Sequence, residues 1–163
     1  MFRQMRRANQ QLSQQECEEI LIRASSGVLS VSGDDGYPYG VPLSYVYDRD
    51  NNAIYFHCAK AGHKLDAIRR NDKASLCVIA KDDVVESEYT TYYKSVIVFG
   101  KVKEITQEPD KTIAVAKLAI KYCPQDSDNG REEEINRYYP ALNALELKIE
   151  HISGKQAKEL IRR

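Results

Sequence analysis

The chain has 163 residues, 42% hydrophobic and 29% charged, enough for one domain with a sizeable core. Its 24 basic side chains balance 24 acidic ones, which excludes a general attraction to nucleic acid or to an anionic membrane and leaves self-association unopposed by net repulsion. No apolar run reaches the ~20 residues of a membrane span. The opening MFRQMRRANQ lacks the apolar stretch of a signal peptide, so a cytoplasmic protein is expected.

Residues 1–12 are polar and basic and read as an arm that orders only against something else. Ser13 and Glu16 form a capping box, and Cys17, Ile20, Leu21 and Ala24 follow at helical spacing, which predicts a helix over about 14–25. Val28 to Val31 reads as a strand, and Asp34-Asp35-Gly36 as a turn. Tyr37 to Tyr47 then alternates, with Tyr39, Val41, Leu43, Tyr45 and Tyr47 on one face; Pro42 within it marks an edge or a bulge. A turn over 48–52 leads to a strand from Ala53 to Cys58. After Gly62 comes a short amphipathic helix with Leu65, Ala67 and Ile68, closed by Arg69 and Arg70.

Ala74 to Ala80 reads as a strand, 81–94 as a loop, and Ser95 to Ile105 as a long strand with a bulge at Gly100. Pro109 opens a helix that is apolar on one face from Ile113 to Ile120. A polar loop over 123–133 follows, then a strand from Leu142 to Ile149 with Leu145, Leu147 and Ile149 facing one way. Ser153 to Ile161 reads as a closing helix. Hairpin-linked strands with short helices predict a mainly β (α+β), six-stranded antiparallel barrel or sheet over residues 1–163 as a single domain.

Chemistry concentrates between Ile54 and Arg70. A strand enters a short loop, then Gly62, then a helix that opens on His63 and Lys64. Helix N-termini carry free amides and the positive end of the dipole, so cations there oppose helix stability unless an anion sits among them. A phosphate bound by His63 and Lys64 satisfies that pattern; a solvated surface lysine satisfies it equally. Taken alone, His57 reads as a packed strand histidine. Metal ligation by His57 and His63 is disfavoured, since no thiolate or carboxylate cluster joins them and Cys58 points to the opposite strand face. Cys17, Cys58, Cys77 and Cys123 form no CxxC pair and no zinc-finger spacing, so free thiols are expected. No GxGxxG, Walker A or GxSxG motif occurs.

Five stretches carry a family likeness: Met5-Arg6-Arg7, Asp34 to Tyr47, Ile54 to Asn71, Thr91 to Gly100, and Ile149 to Lys155. Together they resemble the FMN-binding split-barrel superfamily that includes pyridoxamine 5′-phosphate oxidase, and within it the 5-nitroimidazole-resistance proteins. The resemblance implies a six-stranded split barrel with flanking short helices and a homodimer with flavin at its interface. It places His63 and Lys64 at the flavin phosphate, and His57 and Cys58 beside the flavin. Leu43, Ser44 and Tyr45 fall along the ring edge, Ser95 is a further contact, and His151 comes from the partner subunit. It gives His57 a catalytic role, donating a proton or hydrogen bond to a small nitroaromatic substrate.

Two departures stand out. The chain has no tryptophan and ends soon after Lys155, which argues against vitamin B6 oxidation. His63 also replaces the usual arginine of the basic pair, and a histidine makes phosphate affinity pH-dependent. The implied cofactor is FMN; nothing in the sequence forbids FAD. Haem, with His57 and His151 as candidate ligands, belongs to an alternative in which the protein binds a cofactor without efficient catalysis. A third reading, a regulatory dimer that uses Arg3 to Arg7 on a partner, ranks last.

Overall fold

A computed structural model describes residues 2–161. After a short turn at Ala8–Gln10 comes α1 (Gln14–Arg23), whose capping box forms as expected, Ser13 accepting from the Glu16 amide and Glu16 from the Ser13 amide. The strands β1 (Ser26–Ser32), β2 (Pro38–Ser44), β3 (Val46–Asp48) and β4 (Ala53–Ala59) precede α2 (His63–Arg70). A long hairpin, β5 (Lys73–Val85) and β6 (Thr90–Ile105), follows, then α3 (Asp110–Tyr122), α4 (Asp128–Tyr138) and β7 (Leu142–Gln156).

All seven strands form one antiparallel sheet in the order β2-β1-β5-β6-β7-β4-β3. Its two edges, β2 and β3, are consecutive stretches of one chain, so the sheet curls until they meet at Tyr45 and stays unladdered between β2 and β4. This is a split barrel. The expected six strands become seven because Tyr37 to Tyr47 breaks at Tyr45. Its amide donates to the Tyr122 hydroxyl (2.8 Å) instead of to a neighbouring strand, while its carbonyl accepts from the Lys121 ammonium (2.9 Å). Pro42 lies on the edge strand, where its missing N–H is harmless.

Inward-facing residues of every long strand converge on one core that includes Leu29, Tyr45, Phe56, Leu76, Val78, Val96, Val98, Leu145 and Leu147. From the helices, α1 adds Cys17 and Leu21, and α2 adds Leu65, Ala67 and Ile68. Leu65 and Ile68 each contribute about 1.5–3 kcal/mol of transfer free energy, which pins this short helix despite its weak intrinsic propensity. A smaller cluster outside the sheet packs Ala114 and Val115 of α3 on Ala53, Tyr55, Ile105 and Ala144. The β6–β7 register shifts at Phe99/Gly100, the expected bulge; a Cβ on Gly100 would collide with the Lys148 carbonyl.

Three expectations fail. Residues 81–94 are not a loop: Lys81↔Lys94 through Val85↔Thr90 continue the β5–β6 ladder past a bulge at Ile79/Lys81. Within 123–133, Asp128 onward is the start of α4, capped by Ser127. Ser153–Ile161 is not a helix, because β7 runs to Gln156 and only a short turn at Lys158–Leu160 follows.

The N-terminal arm, outside Met1, lies on its own barrel. The Leu12 amide donates to the Gly154 carbonyl (3.0 Å), Gln11 bridges Lys155, and Phe2 stacks on His151 at 4.7 Å. Among the described residues no helix is long and apolar enough to cross a membrane, and all four cysteines are free.

Candidate functional site

The loop leaving β4 turns at Gly62, whose φ of +134° and ψ of 165° is a glycine conformation, and α2 begins at His63. No side chain caps this helix. The Gly62 carbonyl accepts from the Leu65 and Asp66 amides (2.9 and 3.2 Å), while the amides of His63 and Lys64 have no partner among the described residues. Two free amides, an imidazole and an ammonium therefore converge at the positive end of a helix dipole. An ideal Cβ on Gly62 meets nothing within 4 Å, so the loop borders open space.

Side chains from distant segments surround this point. The His63 ring stacks on Tyr39 of β2 (centroids 4.2 Å apart), and its Nε2 lies 3.3 Å from Asp34 in the β1–β2 turn. The other oxygen of Asp34 accepts from Arg70 at 2.6 Å. Arg69 makes a forked pair with Glu104 (2.6 and 3.0 Å), which also accepts from Asn143. The Arg69 guanidinium holds the Glu104 carboxyl below its ordinary range, against the opposing effect of burial. Cys58, on the inner face of β4, has its thiol pushed up by burial; the nearby Lys64 charge pulls the other way. Lys64 has no ion-pair partner among the described residues.

Of the expected site residues, His63, Lys64 and Cys58 share this corner. His57 sits one residue earlier on the opposite face of β4, exposed beside Ala144 and held by no hydrogen bond among the described residues. Leu43 and Ser44 lie at the far end of β2, paired with Gly27 and Ser26. Tyr45 is fully buried at the bend, with the Lys121 ammonium over its ring; burial raises its hydroxyl pKa. Ser95 pairs with Ile79 and Lys155. Ser44 and Ser95 thus share one end of the barrel, with β1 and β5 between their strands. His151 pairs with Phe99 and is stacked by Phe2. It lies seven residues along β7 from Ala144, the partner of His57, or about 23 Å at strand rise. The two histidines of one chain therefore cannot ligate one haem iron. Among the described residues no group of three or more His, Cys, Asp or Glu could hold a metal ion.

Asp34, Tyr39 and Arg70 are members of the corner that the sequence does not announce. Asp34 reads there only as a turn residue and Arg70 only as a helix C-terminal base. A second concavity lies elsewhere, an open groove of about 1000 Å³ between α1 and β5–β6, lined by Arg23, Ser26, Ile79, Lys94 and Gln156. The α1 N-terminus on its rim is closed by the Ser13–Glu16 capping box, whereas the N-terminus of α2 carries no side-chain cap.

The model of the pyridoxamine 5′-phosphate oxidase family matches residues 13–156. No curated protein matches the chain. Among solved structures, a Bacteroides thetaiotaomicron protein provisionally described as a 5-nitroimidazole antibiotic resistance protein aligns at 20% identity and TM-score 0.73, over 90% of this chain and 86% of that one. An FAD-binding protein from Mesorhizobium loti aligns at 25% identity and TM-score 0.60, over 91% and 97%. An FAD- and haem-binding protein from Mycobacterium smegmatis aligns at 20% identity and TM-score 0.74, over 94% and 76%. The first and third likenesses show the fold alone, and the family match covers most of the chain, from the cap of α1 to the end of β7. The chain belongs to the pyridoxamine 5′-phosphate oxidase family.

Proposed function

We propose that the protein is a homodimeric flavin-dependent reductase that holds FMN by its phosphate at the N-terminus of α2. The observation that carries this reading is the pair of free amides flanked by His63 and Lys64 on an uncapped helix, in a chain of this family. The donor set suits a phosphate: two N–H groups, one uncompensated ammonium and one imidazole, beside open space. FAD presents a phosphate to the same donors.

When bound, FMN supplies the electron transfer to a small acceptor. The chain binds, orients and shields. Lys64 and the two amides anchor the phosphate, the edge strand at Leu43, Ser44 and Tyr45 lines the ring, and Cys58 and Ser95 bound it. His57, exposed and unpaired at the end of β4, is the residue that hands a proton or hydrogen bond to the acceptor. A 5-nitroimidazole-type nitro group is the proposed acceptor, in keeping with the resemblance of DDGYPYGVPLSYVY and IYFHCAKAGHKLDAIRRN to resistance proteins.

The homodimer has its own support. Val28, Cys77 and Ile97 lie directly in register on β1, β5 and β6 and point outward, with Val28 40% and Ile97 38% exposed. Ile79 and Phe99 extend this apolar stripe along the strands. A second copy covering it brings His151 close to the interface.

A visible spectrum of the purified protein tests the flavin reading first: flavin bands, or their appearance on adding FMN, are expected. A protein that stays colourless and takes up neither FMN nor FAD overturns it. Lys64→Ala should weaken FMN binding by about 1–3 kcal/mol, the scale of a charge-assisted hydrogen bond, read by titration of the apoprotein. Reoxidation of the reduced protein by a nitroimidazole under anaerobic conditions tests the acceptor.

A further inference from the structure

Arg70 lies seven residues after His63, about 10 Å along the helix axis. Nonetheless both side chains end on one carboxylate, Arg70 on Oδ1 of Asp34 at 2.6 Å and His63 Nε2 on Oδ2 at 3.3 Å. His63 and Arg70, at i and i+7, lie on one face of α2, and Asp34 of the β1–β2 turn meets both. Asn71 reinforces the approach by donating to Ser32 (3.0 Å) at the end of β1. The basic side chains of this corner are therefore unequally committed. Arg69 is forked onto Glu104, with Asp66 at 3.6 Å; Arg70 and His63 share Asp34; Lys64 is uncompensated. Asp34 and both its partners remain about half exposed, 54% for Arg70 and 60% for Asp34, so this contact is solvent-screened and exchangeable.

We propose that Arg70 is a third basic side chain of the phosphate site and that Asp34 is a built-in competitor, an internal carboxylate that occupies His63 and Arg70 until a phosphate displaces it. This rests on the reading of the α2 corner as the flavin-phosphate site. A carboxylate on two of the site's basic side chains repels an arriving dianion and withholds donors from it. Its removal leaves His63 and Arg70 free at no cost to the fold core, since the β1–β2 turn is closed by backbone bonds from Tyr37 to Asp34 and from Gly33 to Tyr37 (3.0 and 2.8 Å).

The test titrates the full apoprotein with FMN and with riboflavin, which has the same ring system and no phosphate, at low salt. Asp34→Asn should bind FMN about 3- to 10-fold more tightly, the gain shrinking in ~1 M salt, with riboflavin unchanged. Asp34→Ala, run alongside with a melting curve for each protein, should move the same way, which separates the carboxylate from the turn. Arg70→Ala in the Asp34→Asn background should remove much of the gain. Wild type binding both ligands, with neither Asp34 variant tighter for FMN, overturns the competitor role alone. Arg70→Ala lowering the melting temperature with FMN affinity unchanged overturns the role of Arg70. Uptake of neither ligand overturns the flavin reading together with the proposal.

Discussion

Gly62 decides where the amides of His63 and Lys64 point. Its φ of +134° lies in a region closed to other residues, yet a Cβ there meets nothing within 4 Å. The cost of Gly62→Ala is therefore backbone strain without collision, about 1–3 kcal/mol. The variant should melt lower and bind FMN more weakly than wild type, because the loop relaxes and turns the two amides away. A variant with unchanged melting and unchanged FMN affinity shows that the loop is not what aims the donors. Residue identities made this corner partly legible: Gly62-His63-Lys64 at a helix start is a local pattern, visible without coordinates. Asp34 and Tyr39 were not legible, because their distance to His63 is set by how the β1–β2 turn folds over α2. Nothing in the spacing of residues 29 and 24 positions apart encodes that approach.

Among the elements, those with a buried face followed their apolar period. The helix α1 and the inward positions Leu145, Leu147 and Ile149 of β7 stand where 3.6-residue spacing or alternation puts them, and β4, buried on both faces over Ala53 to Phe56, stands where its continuous apolar run puts it. The elements that escaped are exposed on most sides. The outer β5–β6 hairpin pairs KDDVV with TTYYK, without an apolar–polar alternation and with no buried position. The helix α4, DNGREEEINRY, has a single apolar contact through Ile135. At the end of β7, Gly154 admits Leu12 and Cys17 against the strand, a contact no local pattern contains.

The break between β2 and β3 was equally hidden, because it depends on α3. Lys121 donates to the carbonyls of Ala24 and Tyr45 (2.7 and 2.9 Å) and lies 4.2 Å from the Tyr45 ring centroid. Burial lowers its pKa from 10.5 to about 8. A lysine with a depressed folded pKa binds fewer protons in the folded than in the unfolded state across that window. Its contribution to stability is thus complete above 10.5 and is lost as pH falls through 8. The stability of wild type relative to Lys121→Met should therefore rise between pH 8 and 10.5 in denaturant titrations. Cys17, pushed from 9.0 up to about 11 by burial, acts in the opposite sense but is common to both proteins and cancels in the difference. A difference that stays flat with pH shows the ammonium to be fully hydrated.

For the whole molecule, the barrel leaves an outward apolar stripe on β1, β5 and β6 that its own helices do not cover. The chain packs α3 and α4 on the β4–β7 side, runs α1 beside Ile79 at one end, and lays Phe2 near the stripe, 5.5 Å from Phe99. Ile79, 63% exposed, continues it toward Ser95, the expected flavin contact. A balanced net charge offers no repulsion to a second copy. Ile97 stands at the centre of the stripe, so Ile97→Glu buries a carboxylate in the interface if two copies meet there, at a cost of about 2 kcal/mol or more. Sedimentation should show wild type as a dimer and the variant dissociating at more than tenfold higher protein concentration. The monomeric variant should keep its melting transition, since Ile97 points away from the core, and should lose FMN affinity if the ring is sandwiched between copies. A wild type that sediments as a monomer, or a variant that dimerises as tightly as wild type, places the contact elsewhere. Retained FMN affinity in a true monomer would assign the whole flavin site to one chain, with His151 outside it.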